Sequence, residues 1–188
     1  MRRFLLLLAI APLFNACSFI ESQPVDVYNL ASILRQQPIK AWTMEGRLGL
    51  INEKDSISAS INWRHQPEND QIELSGPLSQ GRVAIFATAD KVVFDDGENS
   101  KEFTGQIDDV MSAQLGVEVP VNALKFWVLG LTEPVSPFSE QIDGFVQAGW
   151  RITFREMQRV NNLLLPKKVN AEKDKTKIKL VIDKWDLS

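Results

Sequence analysis

One cysteine and one histidine occur in the 188 residues, and they limit the covalent chemistry open to this chain. Cys17 closes a stretch with a cationic start, Arg2-Arg3, then an apolar run of about eleven residues from Phe4 to Phe14, then Asn15 and a small Ala16. Those are the proportions of a secretory signal, and the run falls short of the ~20 apolar residues of a spanning helix. A thiol directly behind such a stretch is the acceptor of a bacterial lipoprotein signal: the peptide is cut before Cys17, and the new terminal cysteine carries lipid. Two positions are irregular. Phe14 stands where these signals prefer Leu, with Leu13 one place earlier, and Asn15 stands where Ala or Ser is more usual. An ordinary secretory signal with an incidental cysteine is the competing reading; the position of the sole cysteine favours lipidation. With each buried methylene contributing ~0.8 kcal/mol, two or three acyl chains on Cys17 would hold the protein firmly to a bilayer.

Other chemistries find little support. One cysteine forms no disulfide within the chain and no C-x-x-C pair. His65 would have to serve any Ser-His-Asp arrangement, yet no G-x-S-x-G elbow occurs. It lies near Pro67 at the end of an expected strand, where exposure is expected. One histidine and an acylated cysteine do not make a zinc site, and no G-x-x-x-x-G-K-[ST] loop is present to hold a nucleotide. Carboxylate pairs of the glycosidase type are not excluded by number, but none has a distinctive setting. The expectation is a non-enzymatic protein with no metal and no cofactor beyond the covalent lipid on Cys17.

The elements that must position any site follow from the hydrophobic pattern. Residues 1–16 are expected to be a signal peptide, 17–24 a lipidated tether, and 25–188 a single domain with a core of its own. Loss of Arg2 and Arg3 leaves 19 basic against 24 acidic residues, a formal charge of −5, which disfavours nucleic acid as a partner. Residues 25–37 carry Val27, Leu30, Ile33 and Leu34 at helical spacing before Pro38. The period then drops to two. Met44, Leu48 and Leu50 share one strand face, as do Ile57, Ala59, Ile61 and Trp63; Ile72 and Leu74; and Val83 and Ile85. Two more strands flank Asp95-Asp96-Gly97. Helices are expected over 107–115, closed by Gly116, and over 122–129, stopped by Gly130. Strands return over 139–147, 149–155, 167–172 and 176–187, the last with Ile178, Leu180 and Ile182 inward.

The fold class is therefore mainly β (α+β). About nine or ten antiparallel strands curl into a barrel or half-barrel, and the two central helices must cover its concave face. The inward set is Leu48, Leu50, Ile57, Ile61, Trp63, Ile72, Leu74, Val83, Ile85, Leu124 and Trp127. On the residues alone such a set fills a core, since apolar strand faces usually pack on something. Arg47, after Gly46, is expected to reach the backbone of the helical lid, a surface arginine being the alternative. Lys167, Lys168, Lys173, Lys175, Lys177 and Lys179 are expected to form a solvated face, with an acidic carrier or anionic lipid heads as the alternative.

Certain runs carry a more specific signal: Trp42…Glu45-Gly46-Arg47, Trp63, Ser75-Gly76-Pro77-Leu78, and Leu115-Gly116-Val117-Glu118-Val119-Pro120-Val121-Asn122-Ala123-Leu124-Lys125-Phe126-Trp127-Val128-Leu129-Gly130. In order and spacing this chain resembles the LolB family, outer-membrane lipoprotein receptors of the lipoprotein-localisation pathway. The likeness spans most of residues 25–188 and is loosest over 139–175. It implies a half-barrel with a helical lid that accepts lipoproteins from a soluble, LolA-like periplasmic carrier and places them in the outer membrane. It turns the inward set, taken together, from core filling into the lining of an acyl-chain cavity. It also makes Leu78 the apolar tip that serves membrane insertion. Gly76 stands where the family often has Asn, and Ser79 where Gly usually follows the Leu; both remain turn residues. A monomer, anchored in the outer membrane and facing the periplasm, is implied, and Ser18 behind the cysteine suits that sorting. The competing class is a lipid-anchored envelope scaffold or lipid-binding protein without transfer activity.

Overall fold

The computed structural model describes residues 26–76 and 81–187. The period-two segments form β1 (Trp42–Ile51), β2 (Ser56–Gln66), β3 (Asn69–Ser75), β4 (Arg82–Ala87), β5 (Lys91–Asp95) and β6 (Ser100–Thr104). Helices α2 (Ile107–Leu115) and α3 (Val121–Trp127) follow the short α1 (Leu30–Leu34) in chain order. The chain then returns through β7 (Phe138–Gln141), β8 (Gly144–Gln147), β9 (Trp150–Val160), β10 (Leu163–Lys173) and β11 (Thr176–Leu187). All eleven strands make one antiparallel sheet in the order β6-β5-β4-β3-β2-β1-β11-β10-β9-β8-β7. Two meanders thus meet at a seam where the first strand pairs with the last. The sheet is not closed: β6 and β7 are its edges. Because α2 and α3 lie between β6 and β7 in the chain, their connection must cross from one edge to the other. That crossing roofs the concave side. Among the described residues no helix is long and apolar enough to cross a membrane.

Alternation decides which face is which. Met44, Ile61, Ile72, Ile85, Ala171, Ile178 and Ile182 are buried, while their polar neighbours point outward. The one break in β11 is informative. Glu45 pairs with Lys184 but Gly46 pairs with Ile182, so Asp183 is an extra residue in a β-bulge. Asp183 and Lys184 are both exposed, and inward burial resumes at Trp185. A bulge of this kind sharpens the twist that curls a sheet. Gly46 is required here for space, since a Cβ would stand 2.1 Å from the Val181 carbonyl oxygen.

Three expectations change. The helix expected over 25–37 is only Leu30–Leu34, capped by Asn29, whose Oδ1 accepts from Ser32 N. Val27 and Leu34, which completed the helical pattern, are 77% and 61% exposed. The segment is held instead by Tyr28, which stacks on Phe154 and donates to Gly130 O, and by Gln36 against Leu164. The strand expected over 139–147 is the hairpin of β7 and β8. Finally, β9 and β10 run well past the expected segments and turn at Asn161-Asn162, both at positive φ, a two-residue hairpin signature present in the sequence.

Candidate functional site

Under the two helices lies a cavity of about 400 Å³. Ten of the eleven expected inward residues line it: Leu48 and Leu50 from β1, Ile57, Ile61 and Trp63 from β2, Ile72 and Leu74 from β3, Val83 and Ile85 from β4, and Leu124 from α3. The sequence thus left two outcomes open, a filled core or a hollow, and the hollow is present. Met111, Leu115 and Val121 complete the roof, and Ile178 and Leu180 of β11 complete the floor. Among the described residues no charged side chain lines it, and Ser58 and Ser75 supply the only side-chain hydroxyls. Such a space can receive a hydrocarbon chain but offers almost nothing to orient a polar ligand.

Trp127 does not line the cavity. It lies one turn beyond Leu124 on α3, offset by about 60° around the helix, and is fully buried at 0% exposure against β8 and Trp150. There its Nε1 donates to Gln147 Oε1 at 3.0 Å, and its ring lies 6.1 Å from that of Trp150. Gln147, 1% exposed, uses its whole amide: Oε1 also accepts from Glu133 N, and Nε2 donates to Glu133 O and Ser136 O, each at 2.8 or 2.9 Å. This polar knot anchors α3 and the loop behind it to β8.

Arg47 is not a lid contact. It extends from the outward face of β1, its side chain 65% exposed, and pairs with Asp183 at 3.1 Å. Alternation puts it on the face opposite Leu48, so it cannot reach helices that cover the other side. The lid is held by two acids that pattern reading did not single out. Asp108, on the first turn of α2, accepts from Asn122 N at 2.9 Å and so caps the first turn of α3. Burial pushes its carboxyl above the usual range, against the pull of that backbone hydrogen bond. Glu118, between the helices, receives Lys173 Nζ on both oxygens at 2.9 and 2.8 Å and Trp150 Nε1 at 3.2 Å.

The hydrogen bond from Lys173 holds the Glu118 carboxyl below the usual range. A depressed folded value means the stabilisation is present above the unfolded value, ~4.3, and is lost as the pH falls through the folded one. Amide hydrogen exchange over residues 116–119 is therefore expected to quicken as the pH drops below ~4, beyond the intrinsic change. In Glu118→Gln those amides exchange faster already at neutral pH, and the acid step disappears.

His65 is not exposed at a strand end as expected; its side chain is 16% accessible. Its Nδ1 lies 2.8 Å from Asp70 Oδ1, which also accepts from Trp63 Nε1 at 2.8 Å. The Trp42 ring leans on it at 5.4 Å. The arrangement packs the far end of the cavity wall. Cys17 and Leu78 both lie outside the described residues. The residues that flank the Leu78 loop are described: Gly76 N donates to Gly81 O at 3.2 Å, and both glycines line the cavity.

An open antiparallel sheet roofed by helices, over a hollow with no charge among its described lining residues, defines a carrier of apolar ligands. The same architecture occurs in a solved structure, a LolA superfamily protein from Nitrosomonas europaea, with a TM-score of 0.52 over 84% of this chain and 90% of that one. At 7% identity that likeness is one of fold. The family model for the outer membrane lipoprotein LolB matches residues 40–185. Among similar relatives, the outer-membrane lipoprotein LolB of Chromohalobacter salexigens is 32% identical over 165 residues, covering 84% of this chain and 76% of its own. That of a Marinomonas species is 28% identical over 192 residues, covering 98% of both. The chain belongs to the LolB family of outer membrane lipoproteins.

Proposed function

We propose that this chain is an outer-membrane lipoprotein receptor: it takes acylated proteins from a soluble LolA-like carrier in the periplasm and inserts them into the outer membrane. The observation that carries this reading is the roofed cavity with no charged side chain among its described lining residues, in a member of a lipoprotein family. Three acyl chains of ~15 methylenes each, at ~0.8 kcal/mol per methylene, make free passage of a client through water cost on the order of 35 kcal/mol. Each protein on the route must therefore offer a hollow, and transfer runs downhill if each hollow, and then the bilayer, holds the chains better than the last. No nucleotide is required, and the work is that of a non-enzymatic monomer anchored through lipid on Cys17.

The size of the hollow sharpens the proposal. If a methylene fills about the space of a liquid water, ~30 Å³, one chain of ~15 needs ~450 Å³. The cavity of about 400 Å³ matches one chain and not three. Loading of a triacylated client then requires the roof to lift. Helix α2 suits that movement, because Gly105 and Gly116, both at positive φ, flank it.

Leu78 is assigned the delivery step. Its loop springs from Gly76 and Gly81 on the cavity rim, so an apolar tip there would lead chains from the hollow into the bilayer. The test is Leu78→Glu in a transfer assay with purified carrier, acylated client and liposomes. Loading from the carrier is expected to persist, while delivery into liposomes falls more than ~10-fold, since a charge entering the bilayer costs about 2.5–3.5 kcal/mol. Unchanged delivery would remove Leu78 from the delivery step, and a parent chain that neither loads nor delivers client would favour the scaffold reading and sink this one.

A further inference from the structure

Charge is distributed unevenly along this acidic chain. Residues 150–187 hold ten Lys and Arg against five Asp and Glu, a formal +5, while residues 1–149 hold eleven against nineteen, a formal −8. An asymmetry of that size points to a charged partner surface. The fold gathers these residues on the three neighbouring strands β9, β10 and β11, while Asp26, Glu118, Glu53 and Glu45 from the rest of the chain pair with Arg159, Lys173, Lys175 and Lys184. Alternation sends Ile152, Val169, Ala171, Ile178 and Leu180 inward. It leaves Arg151, Arg155, Lys168, Lys177, Lys179 and Lys184 exposed on the convex face. Register sets them side by side: Lys179 lies opposite Asn170 and Gly49, and Glu172 lies between Arg151 and Lys177. Lys168, Lys177 and Lys184 each share an acid, at 2.6, 3.5 and 3.1 Å. Among the described residues, Arg151, Arg155 and Lys179 have no ion-pair partner.

We propose that this convex basic face of β9–β11 seats the domain on the anionic phospholipid headgroups of the bilayer that holds its anchor. Two observations choose a lipid surface over an acidic protein. First, the described chain begins beside one of these strands: Asp26, the first described residue, pairs with Arg159 of β9 at 2.7 Å. The nine residues from Cys17 to that point span at most ~3.3–3.6 Å each, so an acylated Cys17 keeps this face within ~30 Å of the membrane. Second, the face lies behind the cavity. A carrier that hands over acyl chains must address the cavity rim on β2, β3, β4 and α2, which the reverse side of the sheet cannot join. The proposal rests on the lipid anchor and not on what the cavity holds, so it can fail while the receptor reading stands, and the reverse.

Amine footprinting of the mature, lipidated chain tests it. The protein is reconstituted into vesicles of phosphatidylcholine alone or with phosphatidylglycerol, and the modification rate of each lysine is measured by mass spectrometry. Lys168, Lys177, Lys179 and Lys184 are expected to react at least ~3-fold more slowly on the anionic vesicles, and high salt should abolish the difference. Lys54 and Lys101, exposed elsewhere, should react alike on both. The double variant Arg155→Glu/Lys179→Glu should lose the protection with its thermal midpoint unchanged. Equal rates on both vesicles, equal protection at Lys54 and Lys101, or protection retained in the double variant would each overturn the proposal. Protection that appears only when the carrier protein is added would overturn it too, and make this a protein interface.

Discussion

Ala59→Trp is expected to abolish acyl binding while the fold stands. Ala59 lies on β2 opposite Leu48 of β1, and both line the cavity. An indole adds nine heavy atoms there, enough to take up on the order of half of the 400 Å³. It enters a void and displaces no packed neighbour, so the usual cost of overpacking, about 1–3 kcal/mol, does not arise. The affinity for a fluorescent fatty-acyl probe should fall at least ~10-fold, equivalent to ~1.4 kcal/mol, with the thermal midpoint essentially unchanged. Client transfer should fall with it. Ser60→Trp is the matched control, the same ring one residue along and on the outward face, and should leave both measurements as they were. If Ala59→Trp binds the probe like the parent chain, hydrocarbon does not enter this cavity, and the receptor proposal loses its main support.

What the sequence disclosed follows the physics of each element. An antiparallel strand with one wet face alternates strictly, so nine strand residues from Leu48 to Ile85 could be placed inward without coordinates, and all nine line the cavity. Short apolar stretches at a chain end carry no such constraint. Val27, Leu30, Ile33 and Leu34 fit a helical stripe, yet only Leu30 and Ile33 are buried, because Tyr28 and Gln36 tie the segment down by tertiary contacts. The same alternation governs Arg47: it neighbours Leu48 and so faces away from the cavity, toward Asp183. For Trp127, helical spacing narrows the side chain to a broad face and does not disclose its partner, Gln147. The lid fastenings were invisible for another reason. Glu118 meets Trp150 and Lys173 across 32 and 55 residues, and nothing local marks it. Whether apolar faces enclose space or close on one another is likewise set by the curl of the whole sheet, which no single strand encodes.

Gln147→Leu should unfasten the roof. The two side chains are close in size, so the exchange isolates the hydrogen bonds. Leucine would bury more apolar surface, worth about 1.5–3 kcal/mol for a fully buried side chain. Against that gain stand four polar groups that lose their partner: Trp127 Nε1, Glu133 N, Glu133 O and Ser136 O. Each unsatisfied buried group costs about 1–3 kcal/mol; Trp127 at 0% exposure has no water to turn to, and the half-buried groups of Glu133 and Ser136 lie toward the low end. The polar loss wins, and the net destabilisation should be about 4 kcal/mol. For a domain of this size that lowers the thermal midpoint by roughly 8–16 °C. Because the knot ties α3 to β8, acyl-probe release should quicken even well below the midpoint, where the sheet remains intact. Gln147→Glu separates the two donors from the two acceptors: it keeps the oxygens that serve Trp127 and Glu133 N but sets a carboxylate against two carbonyls, and should be at least as destabilising at neutral pH. A midpoint within ~2 °C of the parent for Gln147→Leu would mean that the knot contributes less than ~1 kcal/mol. The roof would then be held by its apolar contacts and by Asp108 and Glu118 alone.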